Sequence, residues 1–305
     1  MSHQLTLRII APSGAMDNEM LLSTAQARLA KLGYAVEIDP AANLIHERFA
    51  GTDAERSTSL AAALTDSVVS VVMAARGGYG AHRLLPLLNW RKLAAAAIKH
   101  DKFIVGHSDF TAIAMALFRH GAPSYAGPCA GVDFGGESVN AFMKKAFEDA
   151  LDAEPLNVTV KAKQAIAKGD TFSARGMLWG GNLTMLCSLL GTPYFPKQKQ
   201  IEDGILFLED VNERPYKIER MLNQLHMAGV LGEQSVILAG DFGSYTESPY
   251  DRGYDMASVW EHVRTVLKVP VLTGLPFGHI ARKATLPIGK RVSVSANATG
   301  FVLTE

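Results

Sequence analysis

The sequence predicts a two-domain α/β protein, with a parallel sheet in its first half and a β-rich α+β arrangement in its second half. Strand and helix signals alternate from Leu5 to about Asp152, as they do in mostly parallel sheets. The chain has 305 residues, a length typical of about two domains. A polar, lysine-rich stretch near the middle of the chain separates two halves of different pattern.

The first half carries strand signals that are each followed by a turn or a helix. One of them, Val68–Met73, is a β-branched run typical of a strand buried on both faces. An apolar helical stripe follows the first strand and ends at Gly33. The other strand signals are Leu5–Ile10, Tyr34–Ile38 and Phe103–Gly106, and further helices are predicted over 110–120 and 138–152.

The second half is predicted to be a β-rich domain flanked by helices. Pro215 opens a helix with an apolar face, which ends at Gly229. We place the N-terminal domain at 1–155, a linker at 156–170 and the C-terminal domain at 171–305. The remaining signals are strands at Ile205–Leu208 and Val236–Ala239, helices at 182–190 and 256–268, and short strands with Gly and Pro turns at the end.

Composition limits the partners of this chain. Thirty basic residues balance thirty acidic ones, so no basic field exists for nucleic acid or an anionic membrane. The N-terminus lacks a basic segment followed by an apolar run, and no apolar stretch approaches the ~18–20 residues of a membrane span. Two cysteines, Cys129 and Cys187, fit a reducing compartment better than a disulfide scaffold. We therefore expect a cytoplasmic protein with neither nucleic-acid nor membrane partners.

The residues with most chemical interest follow the carboxyl ends of predicted strands, where ligands bind in open α/β sheets. The segment GHSD at 106–109 lies between a strand and a helix, the setting of a nucleophile elbow. Such a turn exposes the hydroxyl of Ser108, and the helix N-terminus behind it favours negative charge. Phe110 replaces the second glycine of the usual G-x-S-x-G pattern, and Ser108 or Asp109 could instead simply cap the helix.

A nucleophilic serine needs a base, and the base needs an acid to orient it. Glu209 directly follows a predicted strand, while Asp210 and Glu213 compete for the role of acid in the same loop. His279 ends a Gly/Pro-rich loop that can hold an imidazole rigidly, although a lone loop histidine is often only a surface residue. His107 is the rival base, but adjacent side chains in extended backbone point opposite ways, which disfavours it.

Two glycine-rich segments are candidate ligand loops. RGGYG at 76–80 follows the most buried predicted strand, and its glycines let the backbone approach a ligand closely. It matches neither nucleotide-phosphate pattern, and a tight turn without a ligand would have the same composition. In the second half, Trp179 and Asn182 flank two glycines, and Asn182 could equally cap a helix.

Metal catalysis is not predicted, because there is no H-E-x-x-H motif and the nine histidines are scattered. The absence of S-x-x-K argues against a peptidase of the penicillin-binding type. Cys129 could be a nucleophile, but a buried cysteine is more often inert packing.

Together these segments resemble the LD-carboxypeptidase family over nearly the whole chain. A set of this size in one order is highly specific, unlike any member alone. The matching segments are IAPSG at 10–14, ERFAGTDAER at 47–56, ARGGYGAHRLL at 75–85, GHSDFTAI at 106–113, LWGGNLTML at 178–186, LEDVNERPYKIERML at 208–222, GLPFGH at 274–279 and TLPIG at 285–289.

The resemblance implies a cytoplasmic serine peptidase of murein recycling, which removes the terminal D-alanine from the tetrapeptide of recycled cell-wall fragments. The bond cut would join the L-centre of the third residue, meso-diaminopimelate or lysine, to D-alanine. The expected ligands are murein tetrapeptide and its muramyl forms, with no metal or organic cofactor. The implied fold is a flavodoxin-like N-terminal domain joined to a β-rich C-terminal domain, with the site between them, often in a homodimer.

The resemblance also implies catalytic roles. The family's serine in the GHSD segment falls on Ser108, its histidine in the GLPFGH segment on His279, and its glutamate in the LED segment on Glu209. The expected chemistry is acyl transfer, with the oxyanion bound by the N–H of Asp109 and by an N–H of Gly77 or Gly78.

The expected substrate contacts are Arg76, Trp179 and Asn182. Arg76 could bind the terminal carboxylate of D-alanine, because its planar fork suits two oxygens, or it could pair with an acid across the domain junction. Two other functions are compatible with the same segments. One is an immunity-type peptidase that cleaves a peptidyl-nucleotide toxin, and the other is a non-catalytic sensor of muropeptides, which the three intact catalytic positions disfavour.

Overall fold

The computed structural model describes residues 4–305. The strands are β1 (Thr6–Ile10), β2 (Ala35–Ile38), β3 (Val71–Ala74), β4 (Phe103–Gly106), β5 (Ser124–Ala126), β6 (Asn157–Lys161), β7 (Thr171–Asn182), β8 (Gly204–Glu209), β9 (Gln234–Ala239), β10 (Val271–Thr273), β11 (Leu286–Ile288), β12 (Arg291–Asn297) and β13 (Gly300–Thr304). The helices are α1 (Met20–Lys31), α2 (Asp53–Thr65), α3 (Ala81–Leu84), α4 (Trp90–Lys99), α5 (Thr111–Arg119), α6 (Ala141–Leu151), α7 (Leu183–Leu189), α8 (Gln198–Ile201), α9 (Pro215–Met227) and α10 (Met256–Val266). Within residues 4–305, no helix has both the length and the apolar character needed to cross a membrane.

The chain divides into two compact units. The first comprises the chain up to Leu151 together with Ala281–Ile288, and the second comprises Asp152–Ile280 and Gly289–Glu305. These bounds differ from the predicted ones in two places. Part of the predicted linker, 156–170, is the strand β6, which buries Val158 and Val160 on one face. The segment 281–288 returns to the first unit, because β11 pairs with β5.

The first unit is built on a six-stranded sheet with the order β2-β1-β3-β4-β5-β11. The first five of these strands are parallel, and β11 is antiparallel to β5. The order 2-1-3-4-5 is that of flavodoxin-like folds, in which ligands bind beyond the carboxyl ends of the strands near the β1/β3 switch point. The sequence-based fold class is confirmed for this half of the chain.

The core of the first sheet explains its sequence pattern. Every residue of β3 and β4 is buried, as expected for central strands covered by helices on both faces. On one face, Phe147 of α6 makes edge-to-face contacts with Tyr34, Phe103 and Phe134. Rigid packing of this kind fixes the strand ends, and therefore the loops that follow β3 and β4.

The second unit is built on a seven-stranded mixed sheet with the order β10-β9-β8-β7-β12-β13-β6. The long strand β7 joins its two parts. Residues 171–177 pair antiparallel with β12 and alternate between outward and inward faces, whereas 178–182 pair parallel with β8 and are fully buried. The predicted β-rich domain with flanking helices is thus confirmed, with parallel strands in one half. In this register Asn182 lies beside Glu209 at the carboxyl edge.

Candidate active site

Ser108 occupies a sharp turn directly beyond β4. Its φ of 62° lies in the left-handed region, which costs a non-glycine residue about 1–2 kcal/mol. A single 3₁₀ turn over Ser108–Phe110 then leads into α5. Strain of this kind persists where the surroundings over-determine the backbone, and it is concentrated at functional sites.

The glycine loop after β3 packs against Ser108. A Cβ built on Gly77 would lie 2.6 Å from the Ser108 Cβ and 2.9 Å from its Oγ, so only glycine fits at this position. The Gly77 carbonyl accepts a hydrogen bond from the N–H of Gly14, which follows β1. The loops after β1, β3 and β4 therefore meet at the switch point of the sheet.

Asp109 connects the serine turn to the end of the glycine loop. Its side chain is buried, and its Oδ2 accepts a hydrogen bond of 2.8 Å from the N–H of Ala81 at the start of α3. Burial raises the pKa of the Asp109 carboxyl above its usual range. The side chain of Asp109 thus fixes the residue directly after Ser108.

Arg76 lies at the start of the glycine loop with its side chain partly exposed. Its Nη1 donates to the carbonyl of Ala15 at 3.0 Å and to Oδ2 of Asp17 at 3.3 Å. Asp17 belongs to the same unit as Arg76, so this acidic partner differs from the one considered across a domain junction. An exposed ion pair of this kind contributes little stability, and a ligand carboxylate could replace Asp17.

In the second unit, Glu209 and His279 form a hydrogen-bonded pair. Glu209 is the last residue of β8 and is completely buried, and its Oε2 lies 2.8 Å from Nδ1 of His279. The loop that carries His279 is held to the sheet, because the N–H of Asp241 donates to the Phe277 carbonyl at 2.8 Å. A carboxylate oxygen accepts hydrogen bonds, so this contact suits the His279 tautomer that carries its proton on Nδ1.

The two competing acids have other partners. Asp210 accepts hydrogen bonds from the hydroxyl of Thr184 at 2.8 Å and from its N–H at 2.9 Å, and burial raises the pKa of Asp210. Glu213 forms an ion pair of 3.0 Å with Lys217, one turn further along the chain. Of the three acids in this loop, Glu209 is the one that bonds to His279.

The predicted substrate contacts Trp179 and Asn182 both have hydrogen-bond partners within the second unit. Trp179 is completely buried, and its indole N–H donates to Gln234 at 2.8 Å. Asn182 caps α7 through the N–H of Met185, and its Nδ2 lies 3.2 Å from Oε1 of Glu209. Trp179 therefore packs the core of the second unit, and Asn182 orients the buried glutamate.

Comparison with known proteins places the chain in a family. The model of the LD-carboxypeptidase N-terminal domain matches residues 7–127, and that of the LD-carboxypeptidase C-terminal domain matches residues 175–294. A protein of Bacillus subtilis (strain 168) named a probable murein peptide carboxypeptidase is 30% identical over 291 residues, which cover 95% of this chain and 88% of that protein. The chain belongs to the LD-carboxypeptidase family.

Solved structures show the same similarity. The muramoyltetrapeptide carboxypeptidase from Oxalobacter formigenes is 40% identical, with a TM-score of 0.89 over 98% of both chains. The microcin C7 self immunity protein MccF, solved in complex with glutamyl sulfamoyl guanosine, is 20% identical, with a TM-score of 0.83 over 100% of this chain and 97% of that one. The second likeness concerns the fold alone, whereas the first supports membership of the LD-carboxypeptidase family.

Cys129 and His107, the rival nucleophile and the rival base of this LD-carboxypeptidase family member, are both buried in the first unit. Nδ1 of His107 lies 2.9 Å from the Gly127 carbonyl, and its Nε2 lies 3.3 Å from Nζ of Lys283. Cys129 is completely buried with its Sγ 3.3 Å from Nδ1 of His107. Neither side chain is directed to a substrate, because both face this buried cluster.

Sequence reasoning did not single out Lys283 or Asp133. They form a buried ion pair of 2.8 Å behind the serine turn. No local pattern in the sequence marks this pair, because its two members lie in distant segments and neither belongs to a recognised motif. In residues 4–305, no group of three or more His, Cys, Asp or Glu side chains is arranged to hold a metal ion.

The environment of Cys129 leads to a testable prediction. Burial, followed by the charge of Asp133, raises the pKa of the Cys129 thiol to about 12. Because the thiolate is the form that reacts, the folded protein should resist alkylation by iodoacetamide at pH 8, and Cys129→Ser should keep near-parental activity. Mass spectrometry of the Cys129 peptide before and after denaturation measures this. Rapid alkylation of the native protein, with loss of activity, would return Cys129 to the list of nucleophiles.

Proposed function

We propose that the protein is a serine-type LD-carboxypeptidase. It hydrolyses the bond between the third residue of the murein tetrapeptide and the terminal D-alanine, with Ser108 as nucleophile, His279 as base and Glu209 as the orienting acid. The proposed substrates are the free tetrapeptide and its muramyl forms. The name of the 40% identical protein from Oxalobacter formigenes supports this choice of substrate.

The observation that carries the proposal is the pairing of a completely buried glutamate with His279. In the proposed triad, the carboxylate of Glu209 accepts a hydrogen bond from the Nδ1–H of His279 across 2.8 Å, which favours the tautomer with a basic Nε2. This is the arrangement that a histidine needs in order to take a proton from a serine. In the first unit, the strained turn at Ser108 supplies the matching nucleophile.

The proposed reaction proceeds through an acyl-enzyme. Nε2 of His279 takes the Ser108 proton while Oγ attacks the scissile carbonyl, and the resulting oxyanion accepts hydrogen bonds from the N–H of Asp109 and from that of Gly77 or Gly78. The intermediate collapses as His279 gives the proton to the leaving amine, which releases D-alanine. His279 then takes a proton from a water that attacks the ester, and it returns this proton to Oγ of Ser108 as the tripeptide leaves with a new carboxyl group.

The proposal requires groups from both units, and the chain itself connects them. Two residues after His279, the chain enters Ala281–Ile288, which belongs to the first unit. A homodimer remains part of the proposal on the basis of the family resemblance alone.

We place the reaction in the cytoplasm, in the recycling of cell-wall fragments. Two free and buried cysteines are compatible with a reducing compartment. The mechanism uses neither a metal nor an organic cofactor, because the serine, the imidazole and the backbone N–H groups provide every step. An immunity-type activity on a peptidyl nucleotide is the alternative, so such a compound belongs in the substrate panel.

The nucleophile is tested by Ser108→Ala. Because members of a triad act as a unit, kcat for release of D-alanine should fall by about 10⁴- to 10⁶-fold. The variant should keep the parental circular dichroism spectrum and melting temperature to within a few degrees.

Parental activity should persist in EDTA and fall with a serine-directed reagent. Near-full turnover by the variant, or loss of parental activity on chelation, would disprove the serine mechanism.

The acid is tested by comparing Glu209→Gln with Glu213→Gln. The first change removes the charged acceptor of the hydrogen bond from His279 Nδ1, and kcat should fall by about 10⁴-fold, as for acids in other triads. The second changes a residue in the same loop whose partner is Lys217, and kcat should stay within about twofold, as for most surface changes. Steady-state kinetics on free tetrapeptide measures both. Equal and mild effects would remove Glu209 from the triad.

Recognition of the chain end by Arg76 is tested with two substrates. A tetrapeptide capped as the C-terminal amide lacks the carboxylate that the planar fork would bind, so the parent enzyme should cleave it far more slowly than the free acid. Arg76→Lys keeps the charge and loses the fork, and it should raise KM for the free acid more than it lowers kcat. Asp17→Asn, which removes the competing carboxylate, serves as the control and should leave kcat unchanged. Equal rates on the free acid and the amide would exclude Arg76 as the anchor.

A further inference from the structure

A buried chain of polar groups lies behind Ser108, and the proposed reaction uses none of them. Nζ of Lys283 is 2.8 Å from Oδ1 of Asp133 and 3.3 Å from Nε2 of His107. Oδ2 of Asp133 accepts a hydrogen bond of 2.7 Å from the N–H of Cys129. Lys283 is only 2% exposed, so its charge is shielded from water and depends on these partners. All four residues belong to the first unit.

The hydrogen-bond partners determine the protonation of His107. The Gly127 carbonyl can only accept, so the Nδ1 at 2.9 Å from it carries a proton. The ammonium of Lys283 can only donate, so the Nε2 facing it has none. His107 is therefore neutral, with its single proton on Nδ1. Both nitrogens of the ring are held, one by a carbonyl and the other by a buried ammonium.

The backbone at Ser108 needs constraints on both sides, because a positive φ is strained for serine. On the following side, Asp109 is bonded to the N–H of Ala81. On the preceding side, His107 is fixed through its ring. We propose that Lys283 is a positioning residue, which holds the neutral His107 ring and through it the turn that presents Ser108.

The inference rests on the proposed role of Ser108 as the nucleophile. It assigns a role to Ala281–Ile288, which is distant from Ser108 in the sequence. Lys283 lies in Ala281–Ile288, which joins the first sheet through the pairing of β11 with β5. Asp133 balances the charge of the ammonium and leaves donors for His107. Ala281–Ile288 thus contributes the Lys283 ammonium, which donates to His107 beside the serine turn, in addition to the edge strand β11.

The test uses the double variant Lys283→Met/Asp133→Asn. It removes the ammonium and neutralises the carboxylate that a single change would leave unpaired in the core. The matched control is Lys102→Met. Lys102 is also a buried lysine of the first unit, it bonds to the carbonyls of Asp66 and Val69, and it precedes β4 at the end opposite Ser108. Kinetics are measured well below the melting temperature of each variant, so that a loss of stability alone does not alter kcat.

Two readouts are taken. The first is kcat and KM for free tetrapeptide. In the double variant, kcat should fall by about 10- to 100-fold at unchanged KM. In Lys102→Met, kcat should stay near the parental value. The second is the ¹⁵N spectrum of histidine-labelled protein, with His107 assigned by its absence in His107→Gln. The parent should show the Nδ1–H tautomer, and the double variant a mixture of tautomers.

Three results would contradict the role proposed for Lys283. Retained kcat in the double variant, an equal loss in Lys102→Met, or a proton on Nε2 of His107 in the parent would overturn the inference. If the parent leaves tetrapeptide intact, the proposed substrate fails separately. In that case the rate at which a fluorophosphonate labels Ser108 replaces kcat, and slower labelling of the double variant alone supports the inference.

Discussion

The arrangement of His279 and Asn182 depends above all on the completely buried carboxylate of Glu209. A charge in this position is costly unless it is hydrogen-bonded, and the structure supplies His279 on one oxygen and Asn182 on the other. Both partners owe their places to the second sheet. Asn182 ends β7 in direct register with Glu209, and the loop of His279 is bonded to the residues that follow β9. The two oxygens of one buried carboxylate therefore link the end of β7 and the loop of His279 to the end of β8.

The first unit holds Ser108 in a strained turn. Gly77 provides the space, Asp109 fixes the following residue, and the His107–Lys283–Asp133 cluster lies on the preceding side. The same contacts exclude the competing chemistry. His107 has both ring nitrogens engaged, and Cys129 is a buried thiol of raised pKa. These burial and bonding patterns favour Ser108 over Cys129 as the nucleophile of the proposed mechanism.

Much of this could be predicted from the sequence where the signal was periodic or local. The alternation of strands and helices predicted the parallel sheet, and the buried run Phe103–Gly106 matches β4 residue for residue. The return of 281–288 to the first unit was missed, because the three-residue strand β11 has no period to detect. The prediction that Trp179 contacts substrate rested on the adjacent glycines, which suggested a ligand loop. In fact, a Cβ on Gly180 would lie 1.9 Å from the Phe207 carbonyl, so that glycine serves the close approach of β7 to β8. Buried polar contacts between distant segments, such as Lys283 with His107, leave no local pattern in one sequence.

The central claim is that Ser108 carries the acyl group during turnover, and trapping that intermediate tests it most directly. The enzyme would be mixed with excess tetrapeptide, quenched with acid within milliseconds, digested and analysed by mass spectrometry. The account predicts a tripeptidyl ester on the peptide that contains Ser108, with one D-alanine released for each ester formed in the first turnover. Release of D-alanine under the same conditions with the acyl group on another residue, or with no adduct under conditions that trap the ester of a known serine peptidase, would contradict it.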